Sequence, residues 1–366
     1  MADGGSTSRQ GPLLGVKVLE FAGLGPAPYC GMLLSDLGAD VVRIDRIETP
    51  YDRFDVLGRG RRNTVLDLKD PVDLATARDI AMRADILIEG FRPGVMERLG
   101  LGPDVLMGTN PTLIYGRMTG WGQTGPLAAA AGHDINYIAI SGVLHALGTP
   151  EKPVPPPSVI GDMGGGGLFL AFGVLAAYIE ARKSGHGQVV DCAMIEGAAS
   201  LMAMFYGLHA QGSWTNARGK NMGDGGSHFY NSYQCADGEW ISVGPIEAKF
   251  YTQLMDKIGW ADPPPQMDKR VWPEAKIALE KIFLTKTRAE WCAILEGTDV
   301  CFAPILNMDD APRHHQNEAR EAFVEIDGVV QPAATPKFSR TPGKAAQGAQ
   351  SRTVSAHAIV EEWGAI

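Results

Sequence analysis

Two stretches of this 366-residue chain carry residue types suited to moving a proton. The first is Ala131-Gly132-His133-Asp134-Ile135-Asn136-Tyr137, where a histidine stands at the point an apolar helix begins. The positive end of a helix dipole favours a neutral imidazole, the form that can act as a base. The competing reading is an ordinary capping turn with Asp134 as its first-turn acid. The second is Asp162, followed by Met163-Gly164-Gly165-Gly166-Gly167. Asp is a common N-cap, yet each glycine costs a helix about 1 kcal/mol against alanine. Such a run makes sense if bare backbone must lie close to a ligand, with amide N–H groups turned towards it.

The elements that must position these residues read as an open α/β sheet. Apolar strand-like runs fall at 16–21, 41–44, 64–68, 85–91, 113–118 and 187–191. Helical patterns fall between them, at 30–37, 71–84, from His133 through Leu147, from Asp162 to about 183, and at 193–209. That alternation predicts a parallel sheet. The turn Gly23-Leu24-Gly25-Pro26-Ala27-Pro28 resembles a dinucleotide fingerprint, and Asp45 lies at the spacing of a ribose contact. Pro28 in place of the third glycine argues against a nicotinamide cofactor. More telling are Arg46, Lys69, Arg92 and Arg98, which fall at or just past the C-terminal ends of successive strands. In an open α/β sheet ligands bind at that edge, and converging Arg and Lys suit a polyphosphate. Arg43, Arg59, Arg61 and Arg62 add further positive charge nearby in sequence. Beyond a polar, glycine-rich passage at 212–226, a hairpin (229–235 and 240–243) precedes a helix starting at Glu247. Two more helical patterns, 272–284 and 288–295, complete a second, α+β unit.

Composition narrows the function. A formal net charge of -9 argues against general nucleic-acid binding, which needs a basic footprint. The five cysteines, Cys30, Cys192, Cys235, Cys292 and Cys301, include no C-x-x-C pair, so they read as reduced, mostly buried thiols. No metal site is expected: His314-His315 lacks a downstream partner at helical spacing. The longest apolar run, Met163 to Ile179, is shorter than the roughly 20 residues of a membrane span, so a buried helix is expected instead. Residues 1–11 are polar and read as disordered, not as a secretory signal, and Gly364-Ala365-Ile366 is not a peroxisomal tripeptide. Cytosol is the default compartment, with peroxisome and mitochondrion left open. Met194, Met202, Met204 and Met222 could line an acyl pocket, although core packing is the simpler role.

Several long phrases occur together and in order. They are Leu37-Gly38-Ala39-Asp40-Val41-Val42-Arg43-Ile44-Asp45-Arg46, the run Arg117 to Pro126, Gly132-His133-Asp134-Ile135-Asn136-Tyr137, the Asp162 glycine run and Gly187-Gln188-Val189-Val190-Asp191. With the Glu247 loop, they make the chain resemble the racemase branch of the class III CoA-transferase (CaiB–BaiF-like) family, from about Leu14 to Arg340. The resemblance implies a large doubly wound, Rossmann-like domain (12–212, with 328–366 returning to it) and a small α+β domain (225–320). Two such open rings would interlock as a homodimer. It also implies that His133, Asp162 and, from the other subunit, Glu247 are catalytic. CoA contacts carry over onto Arg46, Leu66, Asp67, Leu68, Lys69, Gly90, Phe91, Arg92, Arg98, Gly132, Asp134, Ile135, Asn136 and Tyr137. The implied reaction of lipid metabolism is epimerisation of the carbon beside a 2-methylacyl-CoA thioester, by two bases through an enolate, with no cofactor beyond the CoA on the substrate. The glycine run would supply N–H donors to the enolate. Transferases of the family use the aspartate as a nucleophile and as a rule lack the Gly-His-Asp-Ile-Asn-Tyr phrase. A CoA transferase with Asp162 as nucleophile is therefore the alternative, and a silent acyl-CoA-binding protein a more distant one.

Overall fold

Short apolar runs alternating with helical stretches give a parallel sheet covered on both faces. The computed structural model describes residues 9–48, 52–345 and 353–365. The chain divides into two compact units: Met1–Ser141, Pro156–Leu201 and Glu318–Ile366 form the first, Gly142–Pro155 and Met202–Asn317 the second.

The first unit begins with β1 (Lys17–Phe21), α1 (Pro26–Asp36), β2 (Asp40–Asp45), β3 (Arg62–Val65), α2 (Pro71–Ala81) and β4 (Ile86–Glu89). It continues through α3 (Val95–Arg98), α4 (Pro103–Thr109), β5 (Ile114–Thr119) and α5 (Asp134–Ile140). After α6 (Val143–Ala146), which belongs to the second unit, come a wide-turn segment Val159–Leu168, α7 (Phe169–Ser184), β6 (Val189–Ala193) and α8 (Met194–Leu201). The six strands lie in the order β3-β2-β1-β4-β5-β6, every pair parallel. Period-2 side chains sort the core. Val18, Ile86, Ile88 and Ile114 face α1 and α7, while Leu19, Leu87 and Tyr115 face the other side with Ile80 of α2 and Leu106 of α4. A sheet covered on both faces explains why these strands read as continuous apolar runs.

Several sequence expectations need correcting. β3 ends at Val65, because its register with β2 (Val42↔Arg62 to Asp45↔Val65) spends Arg62 and Asn63 in the ladder and leaves Leu66–Leu68 beyond it. The helix from His133 does not reach Leu147. It stops at Ser141, since Gly142 at φ 88° takes a left-handed turn that L side chains avoid. Nor is that helix buried all round: Tyr137 and Ile138 point inward, but Ile135 and Ile140 are exposed. Asp162 does not open its helix. The segment starts at Val159 with Ser158 as cap, so Asp162 lies inside the first wide turn.

The glycine run is accounted for by packing. A Cβ on Gly165 would lie 2.5 Å from Ala198 N in α8, and one on Gly167 2.5 Å from Pro26 O in α1. A Cβ on Gly197 would collide with the Gly165 carbonyl. The run is thus a backbone-to-backbone contact between three helical segments. Val159–Ser184 is long and apolar enough to cross a membrane by length and composition, more than the sequence reading allowed. It packs on α1, α8 and the sheet, but only 39% of its most apolar stretch is buried, less than the buried helix expected.

The second unit contains α9 (Ala203–Ala210), β7 (Asn231–Gln234), β8 (Trp240–Val243), α10 (Ala248–Ile258), α11 (Trp272–Phe283), α12 (Arg288–Leu295), β9 (Phe302–Ile305) and α13 (His315–Ala319), the last running into the first unit. β7-β8-β9 form an antiparallel sheet on a core of Phe229, Tyr233, Ile241, Leu254, Phe283 and Trp291. The returning tail then adds the hairpin β10 (Phe323–Ile326) and β11 (Val329–Pro332), and α14 (Ala356–Gly364), which packs Ile359 and Trp363 with α2.

The expected disorder of residues 1–11 lies outside the described residues for positions 1–8. Arg9 is held 2.6 Å from Asp40, and Leu13 N–H donates to Leu37 O at 2.9 Å, so the chain is fixed from there on. All five thiols are free. Cys30 and Cys235 are buried, Cys192 and Cys292 half-buried and Cys301 exposed, fewer fully buried than the mostly buried set expected.

Candidate active site

The first unit's strands run β1-β2-β3 towards one edge and β4-β5-β6 towards the other, so the switch point lies between β1 and β4. In open α/β sheets the crevice at the strand ends there takes ligands. Gly25, in the β1–α1 turn, sits at that point with φ 69°, and a Cβ on it would lie 3.4 Å from Asp162 Oδ2. The glycine-rich turn thus closes on a carboxylate.

Asp162 is half-buried, and its carboxyl is pushed up from the ordinary Asp range. Burial is the main cause, and the negative charge of Asp134 adds to it. A positive His133 works the other way, which places the imidazole within electrostatic range of this carboxylate. Asp134 is buried, at 4% exposure, and accepts the Asp162 backbone N–H at Oδ1, 2.7 Å. A Cβ on Gly161 would come 2.5 Å from the same oxygen, so only glycine allows the approach. Asp134 therefore fastens the start of α5 to the Asp162 turn.

His133 is the exposed N-cap residue of α5, in extended backbone at φ -133°. Asn136 Oδ1 accepts its backbone N–H at 3.0 Å, which pins the first turn of α5. Tyr137 locks the turn from behind. Its hydroxyl donates to Gly132 O at 2.5 Å, and its ring meets Trp121 edge-on at 4.7 Å. The Tyr137 hydroxyl is pushed up by burial first and then by Asp162, with Arg92 acting in the opposite sense. One tyrosine thus senses both the carboxylate and a strand-end cation. His133, Asp134, Tyr137, Asp162 and Arg92 form one neighbourhood.

The strand-end residues are held for presentation. Leu66 N–H donates to Asp45 O at 3.0 Å, and Asp67 Oδ1 accepts Lys69 N–H at 3.1 Å. Leu68 packs at the core margin, while Lys69 stands in solvent. Past β4, Gly90 is exposed, Phe91 donates its N–H to Glu89 Oε2 at 2.7 Å, and its ring lies 6.4 Å from Phe21. Arg46, Arg92 and Arg98 are exposed. Among the described residues, no ion pair involves these three arginines or Lys69.

Glu247 lies in the second unit, exposed, as N-cap of α10. Of the four methionines considered for an acyl pocket, Met194 belongs to the first unit's core. Met202 lines a cavity of about 130 Å³ in the second unit with Phe205, Tyr206 and Trp214. Met204 is exposed, and Met222 packs at the margin of that unit's core. Neither the Asp134–Asp162 bond nor the approach of Gly25 has a signal in the sequence. The positive φ at Gly25 is a requirement no spacing reveals.

Residues 13–350 match CoA-transferase family III, and the chain belongs to that family. It is 45% identical over 335 residues to α-methylacyl-CoA racemase of Mus musculus, covering 90% of this chain and 87% of the relative. To the racemase of Homo sapiens it is 44% identical over 345 residues, covering 90% of each. The crystal structure of a CaiB/BaiF family protein from Brucella suis superposes with a TM-score of 0.81 at 25% identity, covering 97% of this chain and all of that one.

Proposed function

We propose that the chain epimerises the α-carbon of 2-methyl-branched acyl-CoA thioesters by moving one proton between two bases. The observation that carries this is that His133 lies within electrostatic reach of a partly buried Asp162 whose carboxyl is pushed up by burial at the switch point, in a chain so similar to racemases over most of its length. A transferase needs only the carboxylate. Inversion at a carbon needs a proton donor on one face and an acceptor on the other.

In one direction neutral His133 takes the α-proton, and the C–H electron pair passes into the thioester as an enolate. Protonated Asp162 then delivers its proton to the opposite face. In the reverse direction the roles exchange, so the site needs one proton for two bases. Burial supports the role of Asp162, because it disfavours the charged carboxylate. Arg46, Lys69, Arg92 and Arg98 would hold the phosphates of the CoA moiety, which is the only cofactor the reaction requires. Glu247 of a second copy would fix the His133 tautomer, in a homodimer. The uncovered Leu168 just before α7, Phe172 and Ile179 along it and Val189 on the edge strand β6 support a covering partner.

Incubation of the protein with one epimer of a 2-methylacyl-CoA in deuterated water is the test. Epimerisation with deuterium at the α-carbon is expected, severely reduced in His133→Ala and Asp162→Ala and less so in Glu247→Ala. Full exchange in Asp162→Ala would sink the two-base scheme. Thioester exchange with an added free acid, without α-exchange, would support the transferase alternative instead.

A further inference from the structure

Away from this site, Glu296, His314 and His315 converge within the second unit. One ligand-type atom from each lies within 4.8 Å of the other two. Glu296 is the C-cap of α12. His314 closes the single turn Ala311–Arg313, and His315 opens α13. His314 Nε2 is 2.8 Å from Glu296 Oε1, and His315 Nε2 is 3.7 Å from the same oxygen. The two rings lie side by side, centroids 4.5 Å apart and planes 28° from parallel. Bonds of about 2.0–2.1 Å in a tetrahedral site put neighbouring ligand atoms roughly 3.3 Å apart, between the two separations seen.

A histidine–carboxylate hydrogen bond alone does not account for the cluster. His314 Nε2 is buried and makes no hydrogen bond despite its closeness to the carboxylate. The ring nitrogen and the oxygen are therefore neighbours that are not aimed at each other, as two ligands of one ion are. The last carbonyls of α12 add partial negative charge at the same place. Gln316 N–H lies 3.3 Å from His314 Nδ1. Binding an ion at Nε2 moves the ring proton to Nδ1 and gives up that long contact.

We propose that Glu296, His314 and His315 form a structural site for a divalent transition-metal ion of the zinc class. The site takes three protein ligands, with water completing the shell beside the largely exposed His315. It is independent of the acyl-CoA reading. Its work is to staple the end of α12 to the segment that leads out of the second unit. His314-His315 lacks a downstream partner at helical spacing, but Glu296 stands upstream of the pair.

The experiment uses full-length protein without a histidine tag, stripped with chelator and titrated with Zn²⁺ by calorimetry and with Co²⁺ by visible absorption. One ion per chain is expected, with a rise in melting temperature on Zn²⁺ addition and weaker uptake as the imidazoles protonate. His315→Ala, at an exposed position that leaves folding intact, and Glu296→Gln should each weaken binding by at least the roughly 10-fold that loss of a supporting residue costs. His186→Ala, in the first unit, should leave it unchanged. No stoichiometric uptake of Zn²⁺, or uptake equal in His315→Ala, Glu296→Gln and the parent, overturns the proposal.

Discussion

Arg61 is 1% exposed and Arg92 stands in solvent, although both lie in loops of the same sheet. Arg61 pairs with buried Glu20 at 2.6 Å and donates to the Leu57 and Pro28 carbonyls. Arg59 meets Asp36 in a two-pronged contact of 2.5 and 3.0 Å, and Arg117 bridges Glu89 and Glu97 at 2.9 and 2.7 Å. Arg46, Lys69, Arg92 and Arg98 make no such pair among the described residues. By sequence the two sets look alike, as basic residues near strand ends. The structure separates them by partner: one set is paired with carboxylates of the same unit, the other stands exposed without such a pair among the described residues.

The sharpest way to break that division is Arg61→Leu. Glu20 would keep its burial and lose its cation, and an orphaned buried charge costs about 3–5 kcal/mol. Urea unfolding at neutral pH should show the loss, partly restored by adding Glu20→Gln. Burial already raises the Glu20 carboxyl, with Arg61 opposing it. A raised carboxyl contributes stability below its unfolded range and loses it as pH rises through the folded value. The variant's deficit should therefore shrink in acid.

The solvent-facing set should respond in the opposite way. Arg92→Ala and Lys69→Ala should leave stability within about 0.5 kcal/mol, as exposed substitutions usually do. A lost charge-assisted contact of about 1.5 kcal/mol should raise KM for acyl-CoA roughly tenfold with kcat little changed. A large loss of stability in Arg92→Ala would show that the division by partner is false.

What was legible in the sequence follows the same line between local and distant causes. α12 is found where its apolar spacing puts it, and β1 and β2 within a residue, because the pattern that marks them is the pattern that packs them. That Arg46 and Arg92 stand just past β2 and β4 follows from the strand pattern alone, whereas Lys69 lies a full loop beyond the end of β3. The carboxylate partners of Arg59 and Arg61 do not, since Asp36 and Glu20 approach only through tertiary packing. The β10–β11 hairpin was missed although its signal is local: Asp327-Gly328, both at positive φ, is a two-residue turn of the type Asp-Gly favours. The nearness of His133 to Asp162 has no local signal at all. It depends on Gly161 and Gly25 allowing the Asp162 turn to be approached from two sides.

That arrangement leads to the smallest expected effect, at Asp134. The residue offers two things to Asp162: an acceptor for its N–H and a negative charge that keeps its carboxyl raised, second to burial. Asp134→Asn keeps an acceptor oxygen and removes the charge. The Asp162 carboxyl should then fall back towards the ordinary range, and the limb of the α-exchange profile that reports loss of its proton should move to lower pH. At neutral pH the direction that needs protonated Asp162 should slow a few-fold, a modest loss because burial still dominates. The sign for stability is opposite to that of Arg61→Leu. A raised carboxyl costs stability once ionised, so relieving it should make the variant slightly more stable at neutral pH and not in acid. If the limb stays in place while activity falls, Asp134 acts on Asp162 through geometry alone.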